Sequence, residues 1–213
     1  MAHIHEKIDF TVSAYIVHPN LDKILLIHHK KLNRWLQIGG HVELDENTDE
    51  ALEHEIAEEC GLEVELLSDK PGKEDAESIT LYRPDFVSMH KFSGKKGHYH
   101  IDLRYVAIAK SSEPKLAPDE HNDIRWFSRH DLYTADYGLT AADRWYCLEA
   151  LKMAKAHRQN AWQAVVREAL LRCQHSDPAW IRAEEHLHGL DREHPAATPA
   201  ARHHQLLPVR DHA

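Results

Sequence analysis

The chain has 213 residues, a length that suits one domain of ordinary size with an extension, or two small domains. Hydrophobic residues make up 42% and charged residues 29%, which is typical of a soluble globular protein. The net charge of −9 argues against general binding to the nucleic-acid backbone. If a protein this acidic handles phosphates, we expect it to bind cations, most simply a divalent metal.

The cysteines are too few and too scattered for a disulfide framework, and Cys60, Cys147 and Cys173 are predicted to be free thiols in a reducing compartment. The N-terminal sequence lacks the basic start and long apolar run of a signal peptide. Apolar stretches also fall short of the roughly 20 residues that a membrane span requires. We therefore expect a cytoplasmic protein without a membrane partner.

Short β-rich runs separated by turn residues predict a sheet in the first part of the chain. Pro19 and Asn20 predict a hairpin between the first two runs. Residues 68–78 are polar, contain Pro and Gly, and are predicted to form a loop, while Ser128 and Asp131 match a capping box that opens a helical turn. The predicted strands span residues 8–17, 23–28, 35–38, 62–67, 86–92, 99–110 and 123–127.

Helical patterns dominate the rest of the chain. An amphipathic helix is predicted over 141–156, and two more over 160–173 and 178–188. After Leu190 the composition predicts a disordered tail. Acidic and basic residues balance beyond residue 156, so the sequence predicts three parts: a domain at 1–156, a helical extension at 157–190 and a tail at 191–213.

Acidic residues are concentrated in a helix predicted over residues 48–60, which Asn47 or Thr48 can cap. Glu55 precedes Glu58 and Glu59 by three and four residues, so all three carboxylates project toward one side of the helix. Like charges at these spacings destabilise a helix by a few tenths of a kcal/mol per pair, and a cation between them removes that penalty. Oxygen ligands of this kind suit Mg²⁺ or Mn²⁺.

A solvated acidic helix face is the alternative interpretation of this cluster. The glycines around it argue against that interpretation. Gly39 and Gly40 follow a predicted strand, and Gly61 stands at the end of the helix. Each lies where a close backbone approach or a positive φ is required.

This segment resembles the Nudix box, G-x5-E-x7-R-E-U-x-E-E-x-G-U, in which U is an aliphatic residue. The spacing holds over all 23 residues of 40–62. The resemblance is strong in the box, looser over the strands of residues 8–135, and absent from 157–213. The matching residues are Gly40, Glu46, Glu55, Ile56, Glu58, Glu59, Gly61 and Leu62.

One box position departs from the pattern, because His54 stands where the family has arginine. In the family that arginine orients the carboxylates of the helix. A histidine can donate a hydrogen bond to a carboxylate, but it lacks the bidentate fork and is only partly charged near neutral pH. We expect the metal ligands to be intact and the rate and its pH dependence to be altered.

The resemblance implies an α/β (α+β) fold: a Nudix-like mixed β-sheet sandwiched between helices, here with a C-terminal helical extension. It implies that Glu55, Glu58 and Glu59 bind the divalent metal, with the Gly40 carbonyl and Glu46 assisting. The implied reaction is attack of an activated water on a phosphorus of a diphosphate. The expected substrate is a nucleoside diphosphate linked to another moiety.

In similar proteins a glutamate in a loop after the box acts as an extra metal ligand or general base. Glu120, in the loop at residues 117–121, stands in the corresponding region. The predicted catalytic residues are therefore Glu58, Glu59 and Glu120. A surface loop acid is the alternative for Glu120.

Alternation along the strand from Tyr99 puts His98, His100, Asp102 and Arg104 on one face. This face lines the substrate cleft or is simply solvated, and the His-x-His spacing also permits a metal site. The basic residues before the glycine pair, which are Lys30, Lys31 and Arg34, either form a solvated loop or attract a phosphorylated substrate. Trp35 or Tyr82 can stack on a base. Trp126 and Trp145 are predicted to lie in the core. The predicted substrate-binding residues are Lys31, Arg34, Trp35, His100, Asp102 and Arg104.

Two other functions remain open from the sequence. One is a catalytically weak Nudix-fold module that binds a nucleotide and regulates a partner. The other is isomerisation of isoprenoid diphosphates, which the complete set of box glutamates disfavours. The sequence leaves a homodimer open and does not identify the substrate.

Overall fold

The computed structural model describes residues 7–92, 95–134 and 137–173. The predicted helix at 178–188 and the predicted tail lie outside these residues. A 3-10 turn at Asp131–Tyr133 follows the last strand, at the predicted capping box. In chain order the main elements are β1 (Ile8–Val17), β2 (Lys23–His29), β3 (Arg34–Leu36), β4 (Ile38–His41), α1 (Thr48–Glu59), β5 (Val64–Leu66), β6 (Phe86–Lys91), β7 (Tyr99–Ala109), β8 (His121–Ser128) and α2 (Ala141–Cys173).

Strand β1 is the centre of a mixed sheet. It pairs in parallel with β7 along its whole length and antiparallel with β4, and its last residue pairs with the start of β2. Strands β5 and β6 pair with β7, while β3 and β8 pair with β2. The predicted β1–β2 hairpin is therefore present, and the mixed sheet confirms the predicted fold class.

Alternate residues of β1 contribute to two hydrophobic layers. Val12, Ala14 and Ile16 pack with α1 residues such as Leu52 on one face of the sheet, which we call the α1 face. Tyr15 and Val17 lie on the opposite face, which we call the α2 face, where they pack with part of α2. The buried α2 side chains there are Cys147, Ala150, Leu151 and Ala154. The sheet thus lies between helices, as predicted.

Helix α2 corrects the prediction of separate helices at 141–156 and 160–173. It is continuous over 33 residues. The intervening residues contain neither glycine nor proline, so nothing in the sequence breaks the helix there. By internal contacts the chain divides into compact units at Met1–Trp162 and Gln163–Ala213. The domain bounds at residues 156 and 190 stay predictions.

The predicted core position of Trp145 is wrong, because this residue is 51% exposed, although its ring contacts Phe86 at 5.6 Å between ring centres. Trp126 is partly buried at the edge of the α1-face layer. Cys60 and Cys147 are buried free thiols, as predicted. Across the described ranges of the chain, every helix is too short or too polar to cross a bilayer.

The glycine pair in β4 generates a stability prediction. Gly39 has φ of +145°, and a Cβ there would overlap the Val12 carbonyl oxygen and lie 2.9 Å from Ser13 Cα. Gly39→Ala should therefore lower the free energy of unfolding by roughly 2 kcal/mol or more. Gly97→Ala is the control, because Gly97 also has a positive φ but open space around it, and about 1 kcal/mol is expected. Equal losses in urea denaturation would show that the close packing of β4 on β1 is unimportant.

Candidate active site

The ends of α1 are fixed by local hydrogen bonds. Asn47 is the N-cap, and its side chain accepts hydrogen bonds from the N–H groups of Asp49 and Glu50 at 2.9 and 3.2 Å. The Glu50 carboxylate accepts the Asn47 N–H at 2.8 Å, which completes a capping box. At the other end, Gly61 has φ of +59° and its N–H donates to the Ile56 carbonyl. These caps set which residues of α1 face the sheet.

Two of the predicted metal ligands are buried against the glycine pair. Glu55 and Glu59 are buried, with exposed fractions of 6% and 3%. The Gly39 N–H donates to Glu59 Oε2 at 2.8 Å, and a Cβ at Gly40 would overlap the Glu55 carboxylate. The glycines therefore allow β4 to approach the acidic side of α1 closely.

Burial raises the pKa of both carboxyl groups. For Glu55, burial and then the negative charges of Glu59 and Glu120 together raise the pKa to about 8. Burial also raises the pKa of Glu59, against the hydrogen bonds from His121 and the Gly39 N–H. Oxygen donors crowded together out of water suit a hard divalent cation, which offsets their mutual repulsion. The residues present thus fit the metal that the box implies.

His121 is a member of this site that the sequence analysis missed. Its buried ring, at the start of β8, places Nε2 3.1 Å from Glu59 Oε1. Glu120 is exposed, and one ligand atom each from Glu59, Glu120 and His121 lies within 4.8 Å of the others. The structure therefore brings the predicted loop glutamate to the box helix. The available signal was a histidine that directly follows this glutamate at the start of a strand.

His54 contacts two acids of the box. Its Nε2 lies 3.1 Å from Glu58 Oε1, and its Nδ1 lies 3.6 Å from Glu46 Oε2. The Glu58 hydrogen bond and charge raise the pKa of His54, which favours the imidazolium form. Glu58 itself is exposed. In this geometry the histidine can donate one hydrogen bond to a box carboxylate, and the altered rate stays a prediction.

The predicted substrate contacts on β7 need correction. Asp102 and Arg104 are on the α2 face, opposite α1, and Asp102 is 2% exposed. Arg104 Nε lies 2.8 Å from Asp102 Oδ2, and the guanidinium donates to the Tyr15 hydroxyl at 2.8 Å and lies 4.0 Å from the centre of the Tyr146 ring. The charge of Arg104 is thus satisfied inside the protein, so these two residues do not present a phosphate-binding surface. His100 is on the same face and is also buried.

The predicted contacts near the glycine pair are only partly accessible. Trp35 is 8% exposed and packs on Phe127 at 4.8 Å between ring centres, so it is a core residue and not a platform for a base. Arg34 forms an ion pair with Asp143 at 2.8 Å. Lys31 is exposed and stays a predicted substrate contact.

A cleft of about 400 Å³ opens beside the loop that leads into α1. Sequence reasoning did not predict it. Phe10 and Leu103 line it from the α1 face of the sheet, while Glu43 and Glu46 line it from the loop. Glu46, which lines the cleft, also lies 3.6 Å from the His54 ring.

Comparisons with known proteins support the same family. A profile of the NUDIX domain matches residues 8–162. The chain is similar to a NUDIX family hydrolase from Clostridium perfringens, with 32% identity, a TM-score of 0.60, and coverage of 68% of this chain and 97% of that one. A MutT NUDIX hydrolase from Burkholderia pseudomallei has 29% identity and a TM-score of 0.47, with coverage of 70% of this chain and 98% of that one. A NUDIX hydrolase from Nitrosomonas europaea has 19% identity and a TM-score of 0.50, with coverage of 70% of this chain and 91% of that one. No curated protein matches the chain significantly.

The chain therefore belongs to the NUDIX family. Its enzyme class is that of the Nudix-type pyrophosphohydrolases, as the box resemblance implied. The match extends past residue 135, where the resemblance read from the sequence ended, and into α2.

Burial of Glu55 leads to a prediction about the metal-free protein. The folded chain retains the Glu55 proton up to about pH 8, whereas an unfolded glutamate releases it near pH 4.5. In the presence of a chelator, stability should therefore fall as the pH rises between these values, by an amount on the order of a few kcal/mol. Glu55→Gln should reduce this slope in urea denaturation at pH 5, 6.5 and 8, leaving the part that comes from the raised pKa of Glu59.

Glu53→Gln is the matched control, because Glu53 is exposed on the same helix and lies on the side away from the buried acids. This variant should keep the pH dependence of the parent chain. A parent and a Glu55→Gln variant with identical slopes would contradict the burial of an uncompensated carboxylate.

Proposed function

We propose that this chain hydrolyses the diphosphate bond of a nucleoside diphosphate linked to another moiety, with Mg²⁺ or Mn²⁺ as cofactor. The observation that carries the proposal is the pair of carboxylates, Glu55 and Glu59, buried against Gly39 and Gly40. A helix used only for solubility has no reason to keep two acids out of water at a cost in stability.

The proposed metal ligands are Glu55, Glu58, Glu59 and the Gly40 carbonyl. When bound there, a divalent ion lowers the pKa of a water molecule and offsets charge on the phosphate oxygens. The Gly39 N–H and His121 hold the Glu59 carboxylate in a fixed orientation by contacts on each of its oxygens. Such contacts reduce the reorganisation that ligand binding requires.

Glu120 is the proposed second catalytic carboxylate, as a general base or an additional metal ligand. It is exposed and lies beside Glu59 and His121, so solvent and substrate can reach it. As a base it would accept the proton that the attacking water loses. Its position outside α1 lets it approach the reacting phosphate from a separate loop.

The cleft of about 400 Å³ is the proposed site for the part of the substrate that is not attacked. Its volume lies in the range of small-molecule sites, and Phe10 and Leu103 offer apolar surface to a base or sugar. Lys31 is the remaining exposed candidate for a phosphate contact from the predicted set.

A nucleotide-binding regulatory module is the second candidate, and His54 is the observation that favours it. A ring nitrogen makes one hydrogen bond to Glu58, whereas an arginine can make two parallel bonds to a carboxylate. This alternative predicts nucleotide binding without metal-dependent turnover.

Metal-dependent hydrolysis is the direct test of the proposal. Release of phosphate or nucleotide should be measured over a panel of nucleotides, nucleotide sugars and dinucleoside polyphosphates, with Mg²⁺, with Mn²⁺ and with a chelator. The chelator should abolish turnover, and Glu59→Gln should lower kcat/KM by more than about 100-fold, because even outer partners of metal ligands contribute 10- to 100-fold.

Glu53→Gln is the matched control, since Glu53 is an exposed acid on the same helix. It should keep the activity of the parent chain. Binding of panel members without any turnover would favour the regulatory module, and turnover that survives both the chelator and Glu59→Gln would refute the proposed site.

His54 provides a separate test of carboxylate positioning. His54→Ala should lower kcat about 10- to 100-fold with a smaller effect on KM, because Glu58 and Glu46 lose their shared partner. His54→Arg should match or exceed the parent kcat, because the guanidinium can contact both acids. An arginine variant as slow as the alanine variant would show that His54 has a role other than orienting these acids.

A further inference from the structure

A second group of metal-binding side chains lies away from the box helix. It consists of Asp9 in β1, His98 just before β7, and His100 in β7. All three are buried, with exposed fractions of 1%, 1% and 6%. We call it the Asp–His cluster. Parallel pairing of Asp9 with His100 across β1 and β7 fixes its position in the sheet.

The distances within the Asp–His cluster are close to those of a coordination sphere. His98 Nε2 lies 3.1 Å from Asp9 Oδ2, and one ligand atom from each residue lies within 4.8 Å of the others. Ligand atoms bonded at about 2.0–2.1 Å to a tetrahedral ion are roughly 3.3 Å apart. The three ligand atoms are therefore already grouped on the scale of one coordination sphere.

His41 supplies a candidate fourth ligand. Its Nε2 lies 3.7 Å from Asp9 Oδ2, and its ring centre lies 4.9 Å from that of His100. His41 directly follows Gly40 in β4, and successive residues of a strand face opposite sides of the sheet. Gly40 faces the Glu55 carboxylate, so the Asp–His cluster is on the other face and is separate from the carboxylate site.

Neighbouring rings hold the cluster in place. The Phe92 ring stacks on the His100 imidazole with 5.1 Å between ring centres and 19° between planes. The His90 ring meets the same imidazole edge to face at 5.3 Å. Packing of this kind restricts the ring orientation, which is what the outer surroundings of a metal ligand do.

We propose that Asp9, His98 and His100, joined by His41, bind one Zn²⁺-class transition-metal ion in a structural site. Imidazole nitrogen favours Zn²⁺ and related ions, whereas Mg²⁺ prefers oxygen ligands, so the two sites select different metals. Four protein ligands, of which three are buried and the His41 side chain is 14% exposed, are the pattern of a closed structural site without an open position for substrate. The ion would connect the beginning of β1 to the end of β4 and to the beginning of β7.

Zinc binding to the full chain in saturating Mg²⁺ tests this proposal. After chelator treatment, calorimetric titration should give one Zn²⁺ per chain, and Tm should rise on addition of Zn²⁺. His98→Gln and His100→Gln should each weaken Zn²⁺ affinity at least about 10-fold. Co²⁺ bound to the parent chain should show the intense visible absorption of a tetrahedral site, a readout that needs no variant.

Three controls separate this site from others. Glu55→Gln removes a carboxylate from the box helix, His157→Gln removes a histidine of α2 that contacts Glu65 instead of the cluster, and the double change His203→Ala with His204→Ala removes a histidine pair near the C-terminus. All three should keep the Zn²⁺ stoichiometry and affinity. Absence of Zn²⁺ binding in Mg²⁺, or loss of binding in a control but not in His98→Gln and His100→Gln, would overturn the proposal and leave Asp9 and His98 as a buried ion pair.

Discussion

The burial of two carboxyl groups, those of Glu55 and Glu59, is the constraint on which the rest of the site depends. Adjacent turns of α1 bring these carboxylates together, and β4 then covers them. Only glycine at position 40 leaves space for the Glu55 carboxylate, and the raised pKa of Glu55 records the resulting cost. A bound cation would offset this cost, because its positive charge stabilises the ionised carboxylates of Glu55 and Glu59 that burial disfavours.

The strands and the loops support these carboxylates from several directions. Parallel pairing of β1 with β7 places the sheet beneath α1, and β4 is held on β1 by antiparallel pairing. His121 contacts Glu59 from the start of β8, and His54 contacts Glu58 from the preceding turn of α1. The proposed metal centre therefore depends on four separate segments of the chain, while the helix supplies its charged groups.

Much of this could be predicted from the sequence, because the informative patterns are local. The spacing of Glu55, Glu58 and Glu59 and the flanking glycines predicted the helix, its end at Gly61 and the family. Sequence alternation also put Asp102 and Arg104 on one face of β7, but it could not show that their charges neutralise each other inside the protein. The position of His121 beside Glu59 and the packing of Trp35 on Phe127 depend on pairing between distant strands, and the spacing of residues within one segment does not show that pairing. The continuous α2 shows the converse, because residues 157–159 contain neither glycine nor proline and the sequence gives no reason for a break there.

The measurement that tests the central claim most directly is the location of Mn²⁺ by anomalous scattering in crystals of the full chain. We predict a Mn²⁺ ion bonded to carboxylate oxygens of Glu55, Glu58 or Glu59 and to the Gly40 carbonyl, with the anomalous peak lost in Glu59→Gln crystals. A Mn²⁺ ion found only at other residues, with Glu55 and Glu59 contacting protein groups alone, would contradict it.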